Sequence, residues 1–112
     1  MGRIRTYAVI PARDEERHIA RVITDVVPFV DGICVVDDGS KDSTAELARE
    51  TLRVHEGLGI GVVISESGVG PGAAVRRGIE HLGTLGISDN DCCVIIDGDG
   101  QIPSRLIPQA VD

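Results

Sequence analysis

Aromatic side chains are almost missing from this chain: Tyr7 and Phe29 are the only two among 112 residues, and there is no tryptophan. A core must therefore be assembled from Val, Ile, Leu and Ala. A module that binds nucleic acid by stacking bases on aromatic rings is disfavoured for the same reason. Lysine is nearly absent as well. Lys41 stands beside ten arginines, and the 11 basic residues face 18 acidic ones for a formal net charge of −7. That balance argues against non-specific binding to nucleic acid or to an anionic membrane surface. It leaves small anionic ligands open, because a bound divalent cation reverses the local field.

Cysteine pairs are lacking too. Cys34, Cys92 and Cys93 lie inside apolar runs with no Cys-x-x-Cys spacing, so neither a disulfide framework nor a zinc site is expected. They read as buried free thiols in a reducing compartment. No apolar run approaches the roughly 20 residues that a membrane-spanning helix needs. Residues 1–5 lead directly into a strand-like run without a signal-peptide pattern. The chain is expected to be soluble and cytoplasmic.

What is present is enough for a core. At 42% hydrophobic and 26% charged residues, the sequence is that of one globular domain, and its length leaves no room for a second. Residues 5–10 form a short apolar run ending at Pro11, which predicts a strand. Asp14 and Glu15 follow, and Ile19, Val22, Ile23, Val26 and Val27 then recur at helical spacing. The acidic pair is expected in the first helical turn, where it suits the helix dipole, and Pro28 is expected to end the helix. Residues 32–36 are a second apolar run, closed by Asp37-Asp38-Gly39-Ser40. Ser40 or Asp42 is expected to cap a second helix carrying Ala45, Leu47, Ala48 and Leu52.

Residues 60–64 are a third, β-branched run, followed by the glycine-rich segment Gly68-Val69-Gly70-Pro71-Gly72. A third helix is predicted over residues 73–82. Residues 92–96 form a fourth apolar run, closed by Asp97-Gly98-Asp99-Gly100, and Pro103 suits the first turn of a last helix. Strand and helix alternate, and the strands are continuous apolar runs. This is the pattern of a mainly parallel sheet covered by helices on both faces, an α/β fold of Rossmann-like kind.

In an open parallel sheet, ligands bind beyond the carboxyl ends of the strands. Each predicted strand here ends in polar or glycine-rich residues, so four such loops gather along one edge. Acidic residues from two of the loops meet there. Their repulsion calls for a cation or for donors from a ligand. Asp97 and Asp99, two apart at a strand end, point to the same side if the backbone stays extended. Gly98 between them leaves space for a ligand to approach the backbone. With the amide oxygen of Gln101 they make a hard oxygen set suited to Mg²⁺ or Mn²⁺, although a plain Asp-Gly turn explains the tetrapeptide equally well. An EF-hand fails on spacing, because Pro108 occupies the closing glutamate position. Asp37 and Asp38 read either as a ribose or base acceptor pair or as an acidic turn before a helix. Gly68-x-Gly70-x-x-Ala73 follows the third strand rather than the first, so its match to a dinucleotide fingerprint is weak. No Walker A sequence is present. His18, His55 and His81 fall on predicted surface with no role in chemistry.

Four segments, in this order, resemble glycosyltransferase family 2, the inverting enzymes of the GT-A fold. They are Val9-Ile10-Pro11-Ala12-Arg13-Asp14-Glu15; Val35-Val36-Asp37-Asp38-Gly39-Ser40 with Asp42-Ser43-Thr44 behind it; Gly70-Pro71-Gly72-Ala73-Ala74-Val75-Arg76-Arg77-Gly78-Ile79; and Ile95-Ile96-Asp97-Gly98-Asp99-Gly100-Gln101. The likeness extends to polyprenyl-phosphate sugar synthases of the dolichol-phosphate mannose synthase type. It implies that Pro11, Ala12, Arg13 and Glu15 line a nucleotide pocket, with Asp38 holding base or ribose and Asp37 supporting the turn. It places Gly70 in the donor site, Arg76 on the diphosphate side, and Asp97, Asp99 and Gln101 as ligands of Mg²⁺ or Mn²⁺.

The implied partners are a GDP- or UDP-sugar and a lipid-phosphate acceptor, without nucleic acid. Membrane association would come through that acceptor or a segment outside the chain. The implied reaction is attack of the acceptor on the anomeric carbon through an oxocarbenium-like state.

Two departures from the family pattern stand out. Pro71 occupies a position where the family usually has a basic residue. The family's acceptor-binding half, which carries the general base in many members, falls after Asp112. Residues 1–112 are thus expected to be the donor-binding half, binding donor weakly and transferring little or no sugar. The sequence leaves the oligomeric state open; a homodimer is one way for a half-domain of this kind to cover an unpaired sheet edge or an exposed apolar face.

Rival readings remain, of which a plain soluble α/β domain with no ligand is disfavoured because it must treat four ordered motifs as coincidence. A second is a non-catalytic nucleotide-sugar-binding or regulatory module acting with another chain. A sugar-1-phosphate nucleotidyltransferase is disfavoured because Pro11-Ala12-Arg13-Asp14-Glu15 lacks the glycine- and arginine-rich signature. An ordinary dinucleotide-binding domain is disfavoured because that first loop lacks glycine.

Overall fold

The structure, a computed structural model, describes residues 4–55, 57–88 and 90–98. Pro103 and its expected helix lie outside the described residues. Four strands alternate with three helices: β1 (Thr6–Ala12), α1 (Ile19–Val26), β2 (Gly32–Asp38), α2 (Thr44–Val54), β3 (Ile60–Glu66), α3 (Pro71–Thr84) and β4 (Cys92–Ile95). The sheet runs β3-β2-β1-β4, and every pairing is parallel. This is the α/β fold expected from the apolar runs.

Every residue of β2 is buried, and in β1 all but the half-buried Pro11 are; the outer strands β3 and β4 are half-buried. Alternate side chains of β1 and β2 feed two cores. On one face Ala8, Ile10, Ile33 and Val35 pack with Ile19, Val22, Ile23 and Val26 of α1 and with Ala48 and Leu52 of α2. On the other, Tyr7, Val9, Cys34 and Val36 pack with Ala74 and Leu82 of α3. Tyr7 is the one aromatic ring in either core, so aliphatic packing carries the fold. Burial pushes the Cys34 thiol up to about 11, with Cys93 adding to the effect. All three cysteines are free.

Several local expectations shift. The strands β1, β2 and β3 run to Ala12, Asp38 and Glu66, beyond their apolar cores. The parallel ladder carries the polar ends along, with Ala12 opposite Asp37 and Asp38 opposite Glu66. The first turn of α1 holds no acidic residue. Asp14 instead takes a left-handed conformation with φ of 54°, and its amide donates to Ser40 Oγ at 2.9 Å. The chain therefore turns there before the helix begins at Ile19. Pro28 does not stop the chain at once; it sits in a 3₁₀ turn, Val27–Phe29, that continues α1. Ser40 does not cap α2. The capping position is Ser43, without a side-chain bond, while Asp42 Oδ1 accepts the Thr44 amide at 3.0 Å. Among the described residues no helix is long and apolar enough to cross a membrane.

Glycine at 78 lets α3 lie directly on the sheet. A Cβ there would come within 2.5 Å of Val9 Cγ1 and 3.0 Å of Val36 Cγ2, whereas one at Gly83 would meet nothing within 4 Å. Alanine gains roughly 1 kcal/mol over glycine in a helix interior, and overpacking a core costs roughly 1–3 kcal/mol. Gly78→Ala is therefore expected to destabilise the fold by up to about 2 kcal/mol net in urea denaturation, while Gly83→Ala stabilises it by up to about 1 kcal/mol.

Candidate functional site

The chain moves from β1 outward to β2 and β3, then crosses back to place β4 on the other side of β1. The order reverses between β1 and β4, which makes the carboxyl ends of these two strands a topological switch point. The amide of Ile96 bonds to Val9 O at 3.0 Å, so the residues leaving β4 are held beside the end of β1. A cavity of about 270 Å³ opens at this place.

Seven residues singled out from the sequence converge on it: Pro11, Ala12, Arg13 and Glu15 after β1, Asp38 at the end of β2, Gly70 before α3, and Asp97 after β4. Pro71, Ala74 and Gly98 complete the lining. Two expected residues stand apart from it. Asp37 is buried on the sheet, where its Oδ1 has no hydrogen-bond partner. Arg76 is exposed on α3 and outside the lining. Asp99 and Gln101 lie outside the described residues, as does the geometry of their side chains.

The strongest polar feature is the Asp38 carboxylate. Its Oδ1 accepts the amides of Gly68 (3.0 Å) and Val69 (2.8 Å), and its Oδ2 accepts that of Gly70 (2.9 Å). Gly68 and Gly70 have φ of 85° and 96°, conformations that glycine adopts without steric cost. Three successive amides can thus turn towards one buried carboxylate. A Cβ on Gly39 would approach Gly68 N to 3.1 Å, so the loops after β2 and β3 are in contact. Asp38 therefore shapes the glycine segment as well as lining the cavity. A carboxylate offers about four lone-pair positions, and three amides leave room for a further donor.

Gly98 lines the cavity and also packs closely on β1. A Cβ at this position would come within 2.9 Å of Ala12 Cβ and 3.2 Å of Pro11 O. The side that a side chain would occupy is filled by the end of β1. The glycine lets the loop after β4 lie flat against β1.

Arg13 is the cavity's lining cation, against the carboxylates of Glu15, Asp38 and Asp97. Glu15 Oε1 also meets His18 Nδ1 at 3.1 Å. The first turn of α3 presents amides without helical acceptors, except at Pro71, which has none. Apolar floor, single guanidinium, helix start and carboxylate rim together suit a ligand with an apolar or planar part and an anionic part. An anion of two or more charges would meet net repulsion from the rim unless a cation accompanied it.

Of the expected oxygen donors Asp97 is the one described, and it brings a carboxylate, a ligand type that hard cations take, to the rim. Among the described residues no group of three His, Cys, Asp or Glu is placed to hold a metal ion. Asp97 alone would need further oxygen ligands.

The family model described as Glycosyl transferase family 2 matches residues 7–112. A protein of Methanocaldococcus jannaschii is 30% identical over 102 residues, which are 91% of this chain and 43% of the relative. The dolichyl-phosphate beta-glucosyltransferase of Dictyostelium discoideum is 28% identical over 103 residues, 82% of this chain and 30% of that enzyme. The UDP-N-acetylglucosamine–dolichyl-phosphate N-acetylglucosaminyltransferase of Methanococcus voltae is 30% identical over 106 residues, 85% of this chain and 41% of that enzyme. The chain spans less than half the length of these relatives.

Replacing the carboxylate of Asp38 should expose how much the glycine segment depends on it. Hydrogen bonds to a charged group contribute roughly 1.5–3 kcal/mol each in mutational series, and they are not additive. Asp38→Asn removes one acceptor oxygen and sets an amide donor against a backbone N–H. A loss of about 2–4 kcal/mol in denaturant stability is expected, together with accelerated hydrogen exchange at Gly68, Val69 and Gly70.

Proposed function

We propose, for a chain that belongs to glycosyl transferase family 2, that this cavity is the donor site of a metal-dependent, inverting sugar transferase. The observation that carries the reading is the convergence of Arg13, Glu15, Asp38, Gly70 and Asp97, from four separate loops, on one cavity at the switch point. The family places the chain among transferases; nucleotide, metal and acceptor are our inference from the cavity's chemistry and from the relatives' named substrates.

The donor is a nucleoside diphosphate sugar, of GDP or UDP type. The cavity is near the lower end of the roughly 300–1,000 Å³ typical for small-molecule sites, and it opens towards solvent where the rest of a donor extends. Pro11 and Ala12 supply the apolar surface for the base. Asp38 accepts from the base or ribose with the lone pair its three amides leave free, and Asp37 supports the turn behind it. Arg13 and the first turn of α3 meet the diphosphate.

Mg²⁺ or Mn²⁺, held by Asp97 with Asp99 and Gln101, would neutralise the charge that develops on the departing diphosphate. In the transfer, an oxygen of the acceptor forms a bond to the anomeric carbon as the bond from that carbon to the diphosphate oxygen breaks. The electron pair leaves with the nucleoside diphosphate, and the configuration inverts. The Dictyostelium and Methanococcus relatives are named for dolichyl phosphate, and a polyprenyl-phosphate oxygen is the acceptor we assign to the whole protein. Membrane association follows from such an acceptor. Donor binding is the part we assign to residues 1–112.

Titration calorimetry with GDP and UDP, with and without Mn²⁺, tests the donor site. The expected result is binding of one nucleotide that strengthens at least about tenfold with Mn²⁺, about 1.4 kcal/mol, and loses that gain in Asp97→Ala. Equal affinity with and without metal, unchanged by Asp97→Ala, would rule out the metal-dependent site.

A further inference from the structure

The cavity's wall after β1 is held by groups that never reach the cavity. The turn at residues 14–16 is cross-bonded to the loop at residues 40–44 by five hydrogen bonds running in both directions. The amides of Asp14, Glu15 and Glu16 donate to Ser40 Oγ (2.9 Å), Thr44 Oγ1 (2.8 Å) and Asp42 Oδ2 (3.2 Å). In return, the amides of Lys41 and Ser43 donate to Asp14 Oδ1 (2.7 Å) and Glu16 Oε1 (3.2 Å). Each loop thus satisfies backbone donors of the other.

Thr44 is the centre of this exchange. It is fully buried, and its hydroxyl accepts the Glu15 amide while donating to Asp42 Oδ1. That hydroxyl bond, with the Thr44 and Glu16 amides adding, holds the Asp42 carboxyl below its ordinary value against some desolvation. Glu15 itself is doubly committed. Its carbonyl accepts the amides of His18 (3.0 Å) and Ile19 (2.9 Å), which opens α1. Asp14 between these anchors is the one non-glycine residue with positive φ among the described residues. A left-handed aspartate costs free energy unless its surroundings fix it, and the bonds to Ser40 and Lys41 do so.

We infer that Thr44 is a positioning residue of the donor site: through Asp42 and the Glu15 amide it fixes the turn that carries Arg13 and Glu15 into the cavity. The inference rests on the donor-site reading above. Thr44 touches no ligand. Its effect is to hold the guanidinium and the carboxylate of the first loop in place before a donor arrives, so that less ordering is needed on binding. A serine at this position keeps the hydroxyl, and a valine keeps the shape without it.

Two readouts on the wild type, Thr44→Val and Thr44→Ser decide the matter. Hydrogen exchange without ligand comes first. Thr44→Val is expected to speed exchange at the Glu15 and Glu16 amides at least tenfold with β1 and β2 unchanged, and Thr44→Ser to restore protection. The second is calorimetric affinity for GDP or UDP with Mn²⁺, measured well below the unfolding temperature. Thr44→Val is expected to weaken it about tenfold and Thr44→Ser to bring it within about threefold of wild type, against the roughly 1.4 kcal/mol that a tenfold change represents. Unchanged exchange at Glu15 in Thr44→Val overturns the inference, and so does raised exchange with unaltered affinity. If Thr44→Val does not fold, Ser40→Ala, which removes only the acceptor of the Asp14 amide, must show the same local loss of protection and weaker affinity. A wild type that binds neither nucleotide fails the donor reading, while the exchange comparison still decides whether Thr44 fixes the turn.

Discussion

β1 bonds to β2 on one side and to β4 on the other, and its residues are buried against helices on both faces. Because both neighbours run parallel to it, all three strands end at one edge. The loops that follow them must therefore meet there. Right-handed crossovers place α1 and α2 on one face and α3 on the other, which opens the gap beside β1 where the strand order reverses. The cavity is a consequence of this arrangement. Its described lining comes from the ends of β1, β2 and β4 and the start of α3, which this topology brings to that edge.

The loops are not merely neighbours, because each is fixed by backbone amides that another loop accepts. Asp38 gathers three amides of the glycine segment, and the loop after β2 exchanges five bonds with the turn after β1. Gly98 packs on Ala12 and joins the last loop to β1. Among the described lining residues, three carboxylates face one guanidinium, a balance that repels an anion of two or more charges unless a cation accompanies it.

Much of this was legible in the residues. The parallel α/β class followed from continuous β-branched runs such as residues 32–36 and 60–64, which only a sheet covered on both faces explains. The gathering of four loops followed from their places at strand ends, whereas the choice of Pro11, Ala12, Arg13, Glu15, Asp38, Gly70 and Asp97 within them came from the family resemblance. Strand ends were read short at Asp38 and Glu66 because apolar pattern stops where the ladder continues through polar side chains. The first turn of α1 was misjudged because Asp14 and Glu15 suit a helix start by charge, while their amides are committed to Ser40 and Thr44. Such bonds depend on backbone groups from a segment about 27 residues away, and no local pattern reveals them. The same holds for the triple acceptance at Asp38. The close packing of Gly98 on Ala12 is likewise invisible until that neighbour is known.

A second hollow of about 460 Å³ lies at the opposite end of the strands, lined in part by Arg5, Asp31 and Gly59. It provides an internal control for the most direct test, which is nuclear magnetic resonance mapping of amide shifts on addition of GDP or UDP with Mg²⁺. The expected result is that shifts gather at Ala12, Arg13 and Glu15, at Gly68, Val69, Gly70 and Ala74, and at Asp97 and Gly98, with Arg5, Asp31 and Gly59 unmoved. Shifts confined to the hollow at the amino ends, or spread evenly over both ends, would contradict a donor site at the switch point beside β1.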